Sequence, residues 1–273
     1  MSIIHTNQVN IMRIALLDSG LGGLTVLAEA VSQLPTEDYL FFADTLHVPY
    51  GTKTKEQVQQ YVRQSVDQIM EQDIKALVIA CNTATSAVAA QLRSEVDIPI
   101  IGMEPAVKPA VEMNRDTGKR VLVAATPLTL RQSKYTELVS RVDVHDHSIV
   151  DSLPLPELVT YCEELQFDLD VMSDYFDKKF KPYDLNDYGT LVLGCTHFPF
   201  YKNMLRQLLP QHIEIIDGSA GTVRRLTSIL ELNTIASHSG HADIQFMCSG
   251  HEPEYVDKMI KAYQWYTAQL EQQ

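Results

Sequence analysis

The sequence predicts an α/β protein of two similar parallel-sheet domains, related by pseudo-twofold symmetry, with a functional cleft between them. Three observations predict it. Short β-rich runs alternate with longer helix-compatible stretches through most of the 273 residues. Most of the runs end on a polar turn. Two stretches also repeat: Ala76-Leu-Val-Ile-Ala-Cys81-Asn-Thr resembles Thr190-Leu-Val-Leu-Gly-Cys195-Thr-His, and Ile14-Ala-Leu-Leu-Asp18-Ser and Val121-Leu-Val-Ala-Ala-Thr126 both run from apolar residues into a polar turn. The length fits two domains. The division expected is residues 1–104 with 217–273 for the first and 105–216 for the second.

The elements follow in order. Residues 14–17 form a strand candidate that ends at Asp18-Ser19-Gly20. Residues 24–34 carry apolar side chains at helical spacing and stop at Pro35. Residues 39–43 read as a second strand ending at Asp44. Over 55–72, Val58, Tyr61, Val62, Ser65, Val66, Ile69 and Met70 share one helical face. Residues 76–80 make a third strand ending at Cys81-Asn82-Thr83, with a helix over 84–96 and a strand over 98–101. The pattern then restarts: strand 120–124 into Thr126-Pro127, helix 130–142, strand 191–193 into Gly194-Cys195-Thr196-His197, a helix through 209, and strand 213–216 into Asp217-Gly218-Ser219. Residues 246–250 read as a late strand and turn. Residues 255–270 form an amphipathic helix, whose stripe of Tyr255, Met259, Ala262, Tyr263, Tyr266 and Leu270 reads as packing, with a dimer contact as the sharper alternative.

Composition excludes several classes. The formal charge is −13, and the nearest approach to a basic cluster, Lys178, Lys179 and Lys181, is flanked by Asp174, Asp177 and Asp184. Nucleic-acid binding through a basic face is not expected. No apolar run approaches the ~20 residues of a membrane span. The first residues show no charged head followed by an apolar stretch, so no secretory signal is expected. Four cysteines at 81, 162, 195 and 248, widely spaced, then read as reduced thiols in a cytoplasmic protein.

In open parallel sheets, ligands bind outside the carboxyl ends of the strands. Four expected strand ends carry reactive or hydrogen-bonding groups: Asp18-Ser19, Cys81-Asn82-Thr83, Thr126, and Cys195-Thr196-His197. Two halves facing each other would put one cysteine on each wall. Such a pair can take a proton from one face of a carbon and return one to the other, which inverts a stereocentre. The thiols must differ in protonation, so neighbours must promote ionisation. Each cysteine is expected to begin a helix, whose free N–H groups favour an anion. Asp18 could accept a proton from one thiol, and His197 could assist the other. A buried cysteine is commonly just a small core residue. Cys162 and Cys248, which lack the repeated strand–Cys–Thr/Asn arrangement, are read that way.

The chain resembles the glutamate racemases, cofactor-independent members of the aspartate/glutamate racemase superfamily. The matching stretches are Asp18-Ser-Gly-Leu-Gly-Gly-Leu-Thr-Val-Leu27, Phe42-Ala-Asp-Thr-Leu-His-Val-Pro-Tyr-Gly-Thr-Lys53, Ala80-Cys-Asn-Thr-Ala84, Gly102-Met-Glu-Pro105 and Leu193-Gly-Cys-Thr-His-Phe-Pro199. The resemblance implies interconversion of L- and D-glutamate without cofactor or metal, serving peptidoglycan synthesis. It implies that Cys81 and Cys195 are the acid–base groups, with Asp18 and His197 assisting. Ser19, Pro49, Tyr50, Gly51, Asn82, Thr83, Thr126 and Thr196 match positions that line the substrate. A homodimer is expected, and some members need a cell-wall precursor as activator. One region departs from the family. Where members carry a glutamate in a Pro-Leu-Val-Glu segment, this chain has Ser152-Leu-Pro-Leu-Pro-Glu-Leu-Val-Thr160, so Glu157 is not assigned to that role.

Other readings are weaker. Gly20-Leu-Gly22-Gly23-Leu-Thr25 suggests a dinucleotide fingerprint, but its third glycine position is Thr25. Close approach of the backbone to a ligand or helix explains the glycines better. His238-Ser-Gly-His241 and Cys248-Ser-Gly-His251 suggest zinc, but in no standard framework. A racemase for a related substrate such as aspartate, or a binding module that has lost turnover, are the alternative functions.

Overall fold

A computed structural model of the chain describes residues 12–142, 149–232 and 242–271. Among these residues nine strands lie in two parallel sheets: β1 (Arg13–Asp18), β2 (Tyr39–Ala43), β3 (Ile74–Ile79), β4 (Ile100–Gly102), β5 (Arg120–Ala125), β6 (Val150–Pro154), β7 (Tyr188–Leu193), β8 (Glu214–Asp217) and β9 (Ile244–Cys248). The first sheet has the order β4-β3-β1-β2-β9 and the second β6-β5-β7-β8. Read from its other edge, the second runs β8-β7-β5-β6, which repeats β4-β3-β1-β2. Registers repeat as well. Ile14 pairs with Ala76 after a shift at Arg13, and Val121 pairs with Thr190 after a shift at Arg120. The sequence repeat is thus a structural repeat, with β9 added beside β2.

Period-two alternation sorts the strand residues between layers. On one face of the first sheet Ala15, Leu17, Leu40, Phe42, Leu77 and Ile79 meet Val58, Val62 and Ile69 of helix Lys55–Met70 and Val88 of helix Asn82–Glu95. On the other, Ile14, Leu16, Phe41 and Val78 join a core that continues into the second sheet through Leu122, Ala124, Leu191 and Leu193. Val121, Val123 and Val192 face away from it, against Val107, Ala110 and Val111. Each fully buried side chain of this size contributes about 1.5–3 kcal/mol, which fixes the register and with it the strand ends.

Three expectations change. The helix over 130–142 is two helices, Pro127–Arg131 and Ser133–Val142, because Gln132 between them is extended. Thr126 caps the first, its hydroxyl accepting from the Thr129 N–H. Cys195 does not begin an α-helix. A 3-10 turn, Phe198–Tyr201, follows it, and helix Lys202–Leu208 starts only beyond. Strand β6 and helices Val107–Asn114, Pro156–Glu163 and Leu169–Phe180 were not anticipated. Among the described residues, no helix is long and apolar enough to cross a membrane.

Candidate active site

The carboxyl ends of β1, β3, β5 and β7 bring together what the sequence placed there. Asp18 closes β1, Cys81 follows β3 and caps helix Asn82–Glu95, Thr126 follows β5, and Cys195 follows β7. Asp18 is fully buried, and Cys81 and Cys195 are 6% and 7% exposed. Ser19, Tyr50, Asn82, Thr83, Thr126, Thr196 and His197 are buried too, and Pro49 is half-buried.

Asp18 spans the two halves. Its Oδ1 accepts from the Gly20 N–H at 3.0 Å and, weakly, from the Ser19 hydroxyl at 3.4 Å. Its Oδ2 accepts from the Thr196 hydroxyl at 2.9 Å. Burial raises the Asp18 pKa, although His197, Gly20 and Thr196 all act to lower it. Burial and the negative charge of Asp18 push the Cys81 thiol well above its ordinary value. The N–H groups of Ala84 and Thr83 at the helix start pull the other way and do not win. The balance favours the thiol form of Cys81.

The Cys195 arm is built differently. Its sulfur lies 3.8 Å from Nδ1 of His197, whose Nε2 lies 2.7 Å from Oε1 of Glu163. Burial works against the imidazolium, yet Cys195 and Glu163 together hold its pKa well above the usual 6.5. Burial likewise opposes the Glu163 carboxylate, but His197, Tyr255 and the Leu21 N–H leave its pKa below 4.5.

Glu163 is the residue that sequence reasoning missed. Glu157, the one weighed there, instead meets Tyr175 and Lys179. A signal existed. Helix Pro156–Glu163 buries Leu158, Val159 and Cys162, and Glu163 lies four residues after Val159 on the same face. A carboxylate there must find a partner.

The glycine loop serves this arm. A Cβ on Gly22 would collide with the His197 ring and lie 2.5 Å from the Thr196 hydroxyl. A Cβ on Gly51 would lie 2.7 Å from that of Thr126, so the Tyr50–Gly51 turn touches the opposite half. The turn is held by buried Asp44, which accepts from the Tyr50 phenol at 2.6 Å and the Ser249 hydroxyl at 2.7 Å, and faces His47 Nδ1 at 2.9 Å. Thr83, Thr126 and Thr129 form a triangle of hydroxyls with sides of 2.9–3.0 Å across the two halves. Both side-chain polar atoms of Asn82 are buried without a protein hydrogen-bond partner, which is costly.

Among the described residues no cluster of three or more His, Cys, Asp or Glu is placed to hold a metal ion. His238 and His241 lie outside them.

The model of the Asp/Glu/Hydantoin racemase family matches residues 19–226. The chain belongs to this family. It is accordingly an amino-acid racemase. A glutamate racemase of Halothermothrix orenii is 50% identical over 253 residues, 92% of this chain and 97% of that one. Glutamate racemase 2 of Bacillus subtilis is 48% identical over 257 residues, 93% and 96% of the two chains. Among solved structures, a glutamate racemase isoform from Bacillus anthracis superposes with a TM-score of 0.79 at 29% identity, covering 94% of this racemase and 95% of that chain. The Escherichia coli glutamate racemase, solved with L-glutamate and the activator UDP-MurNAc-Ala, gives 0.79 at 30% identity, covering 92% and 95%. The two-sheet α/β fold is the one these racemases share.

Proposed function

We propose that this racemase interconverts L- and D-glutamate by a two-thiol proton transfer without a cofactor. The observation that carries the reading is the pair Cys81 and Cys195, which follow equivalent strands of two repeated sheets and have different neighbours. One sulfur, as thiolate, removes the α-proton: a C–H bond breaks, an S–H bond forms, and the electron pair stays on the substrate. The other, as thiol, gives its proton to the opposite face. The two sulfurs have then exchanged protonation states.

The assisting groups supply the difference. Asp18, interacting with Cys81, serves proton exchange on that wall. His197, held as a cation by Glu163, can donate through Nδ1 to a thiolate sulfur on Cys195. Pairing an acid and a base by environment is how one site runs both half-reactions.

Substrate recognition follows from uncharged donors. Ser19, Asn82, Thr83, Thr126 and Thr196 offer hydroxyl and amide groups, and Pro49, Tyr50 and Gly51 form the wall opposite Thr126. Fixed donors of this kind hold carboxylates and stabilise the charge developing at the deprotonated carbon; one such donor is worth roughly 10²–10³ in rate. Relatives named glutamate racemase at 48–50% identity support glutamate as the substrate. The reading includes D-glutamate supply for peptidoglycan in the cytoplasm, a homodimer, and domains of 1–104 with 217–273 and 105–216. An activator like the one bound by the Escherichia coli protein is an open part of it.

The experiment is solvent-deuterium incorporation at the α-carbon of each glutamate enantiomer. Wild type should exchange and racemise both. Folded Cys81→Ala and Cys195→Ala variants should not racemise. Wild-type racemisation by both variants would remove the assignment, and faster turnover of aspartate in a substrate panel would change the substrate.

A further inference from the structure

The Cys195 arm continues beyond Glu163 to the C-terminal helix, Pro253–Leu270. Its first turn carries Tyr255, whose phenol donates to Oε2 of Glu163 at 2.5 Å. The other oxygen, Oε1, accepts from the Leu21 N–H at 2.7 Å and faces His197 Nε2 at 2.7 Å. Lys258, one turn further along, lies 4.0 Å from Oε2 and 5.0 Å from the centre of the Tyr255 ring. A carboxylate is planar, and its two oxygens turn together. Holding Oε2 from one side fixes where Oε1 meets the imidazole on the other.

We propose that Tyr255 is a positioning residue for proton transfer at Cys195, its phenol fixing the Glu163 carboxylate that orients His197. The inference rests on the reading of Cys195 as an acid–base group. Nothing in the family motifs assigns this tyrosine, and the sequence treats its helix as packing. The helix therefore has a second role, closing a chain of contacts from residue 255 through 163 and 197 to 195. Burial and the Glu163 charge push the Tyr255 phenol far above its ordinary value, so it remains a donor at every working pH. The other titratable groups around this carboxylate are Asp18, Cys162 and Tyr201, none of which is hydrogen-bonded to Oε2.

Tyr255→Phe isolates the hydroxyl, since the ring and its packing stay. The test measures kcat and KM across pH, in both directions, for wild type, Tyr255→Phe, Lys258→Gln and Cys195→Ala. Because the enantiomers are equal in free energy, kcat/KM must fall by the same factor in both directions. The expected loss is roughly tenfold, mostly in kcat, as for a hydrogen bond to a charged group. The lost donor favoured the ionised Glu163, so the acid limb of kcat/KM should move to higher pH by about one unit. Lys258→Gln should move it the same way by less. A folded Tyr255→Phe with wild-type rate and an unmoved limb overturns the proposal. If Tyr255→Phe does not fold, an unmoved limb in Lys258→Gln overturns it. Cys195→Ala separates the two readings. Full activity there sinks the two-thiol mechanism, whereas an inactive Cys195→Ala beside an unaltered Tyr255→Phe sinks only the role of Tyr255.

Discussion

Replacing Thr196 by valine removes one hydroxyl from the contact between the two halves of the site. That hydroxyl donates to Oδ2 of Asp18 at 2.9 Å, and Asp18 is fully buried. Oδ1 keeps the Gly20 N–H and the long Ser19 contact, but Oδ2 loses its hydrogen-bonded side-chain donor. A hydrogen bond to a charged group is worth about 1.5–3 kcal/mol, and a group left unsatisfied costs a similar amount. At 1.36 kcal/mol per decade, a loss of about 2 kcal/mol is roughly thirtyfold in kcat/KM. The same loss of stability would lower Tm by about 4–8 °C for a chain of this size. Removing a donor that favours the carboxylate also moves the Asp18 pKa further up, so the acid limb of activity should shift to higher pH. The assay is circular-dichroism racemisation across pH, with thermal melts of the same samples. Thr196→Ser keeps the hydroxyl and should stay within about threefold of wild type. If Thr196→Val matched Thr196→Ser in rate, limb and Tm, the bond from Thr196 to Asp18 would have no part in holding the site.

Three further outcomes follow from the same geometry. Gly22→Ala drives a methyl group into His197 and Thr196; an overpacking cost of about 1–3 kcal/mol should appear in the melt, with at least a tenfold loss of kcat. Thr129→Val removes one corner of the hydroxyl triangle with Thr83 and Thr126, and should raise KM for glutamate about fivefold with a smaller effect on kcat. Glu163→Gln should destabilise in a pH-dependent way, read as the Tm difference from wild type. The lowered Glu163 pKa contributes stability that is present above 4.5 and lost as pH falls through its folded value. The raised His197 pKa contributes stability that is full below 6.5 and lost as pH rises through its folded value. The difference should be greatest between the two and shrink at acid pH; a flat difference would show that the pair is not ionised.

Strand ends were the most legible part of the chain. Residues 76–80 and 190–194 are apolar throughout or nearly so, as central parallel strands buried on both faces must be, and β3 and β7 are central strands. Strand β6 was illegible for the complementary reason. It is an edge strand reading Val150-Asp-Ser-Leu-Pro154, and only its Leu153 is buried. The helix break at Gln132 was hidden because the apolar spacing continues through it. What decides that break is local, since Thr126 caps a short helix beginning at Pro127. Glu163 stayed out of view because its partners lie elsewhere in the sequence: Leu21 in the glycine loop, His197 after β7, and Tyr255 in the last helix. Motifs report what each segment contributes to the site; the buried face of helix Pro156–Glu163 marks a carboxylate in need of partners, but nothing local names partners that come from three remote segments.

The repeat also shows what symmetry does and does not supply. The two sheets share strand order and even the irregular first pair, so the fold alone places one sulfur after each equivalent strand. The surroundings are not repeated. Cys81 caps an α-helix and faces an aspartate, whereas Cys195 precedes a 3-10 turn and faces a histidine held by a glutamate. For a racemase this is no defect. No catalyst can shift an overall equilibrium, which for enantiomers is one, so unlike neighbours change only how barrier and binding divide between the two directions. On the proposed two-thiol mechanism one sulfur must be a thiolate while the other is a thiol; coupling between two thiols can divide one proton between them even in like surroundings, and unlike neighbours add to that difference. The net charge of −13 does not exclude an anionic substrate, since charges on the outer surface are screened over about 8–10 Å, whereas groups inside a buried site act at close range.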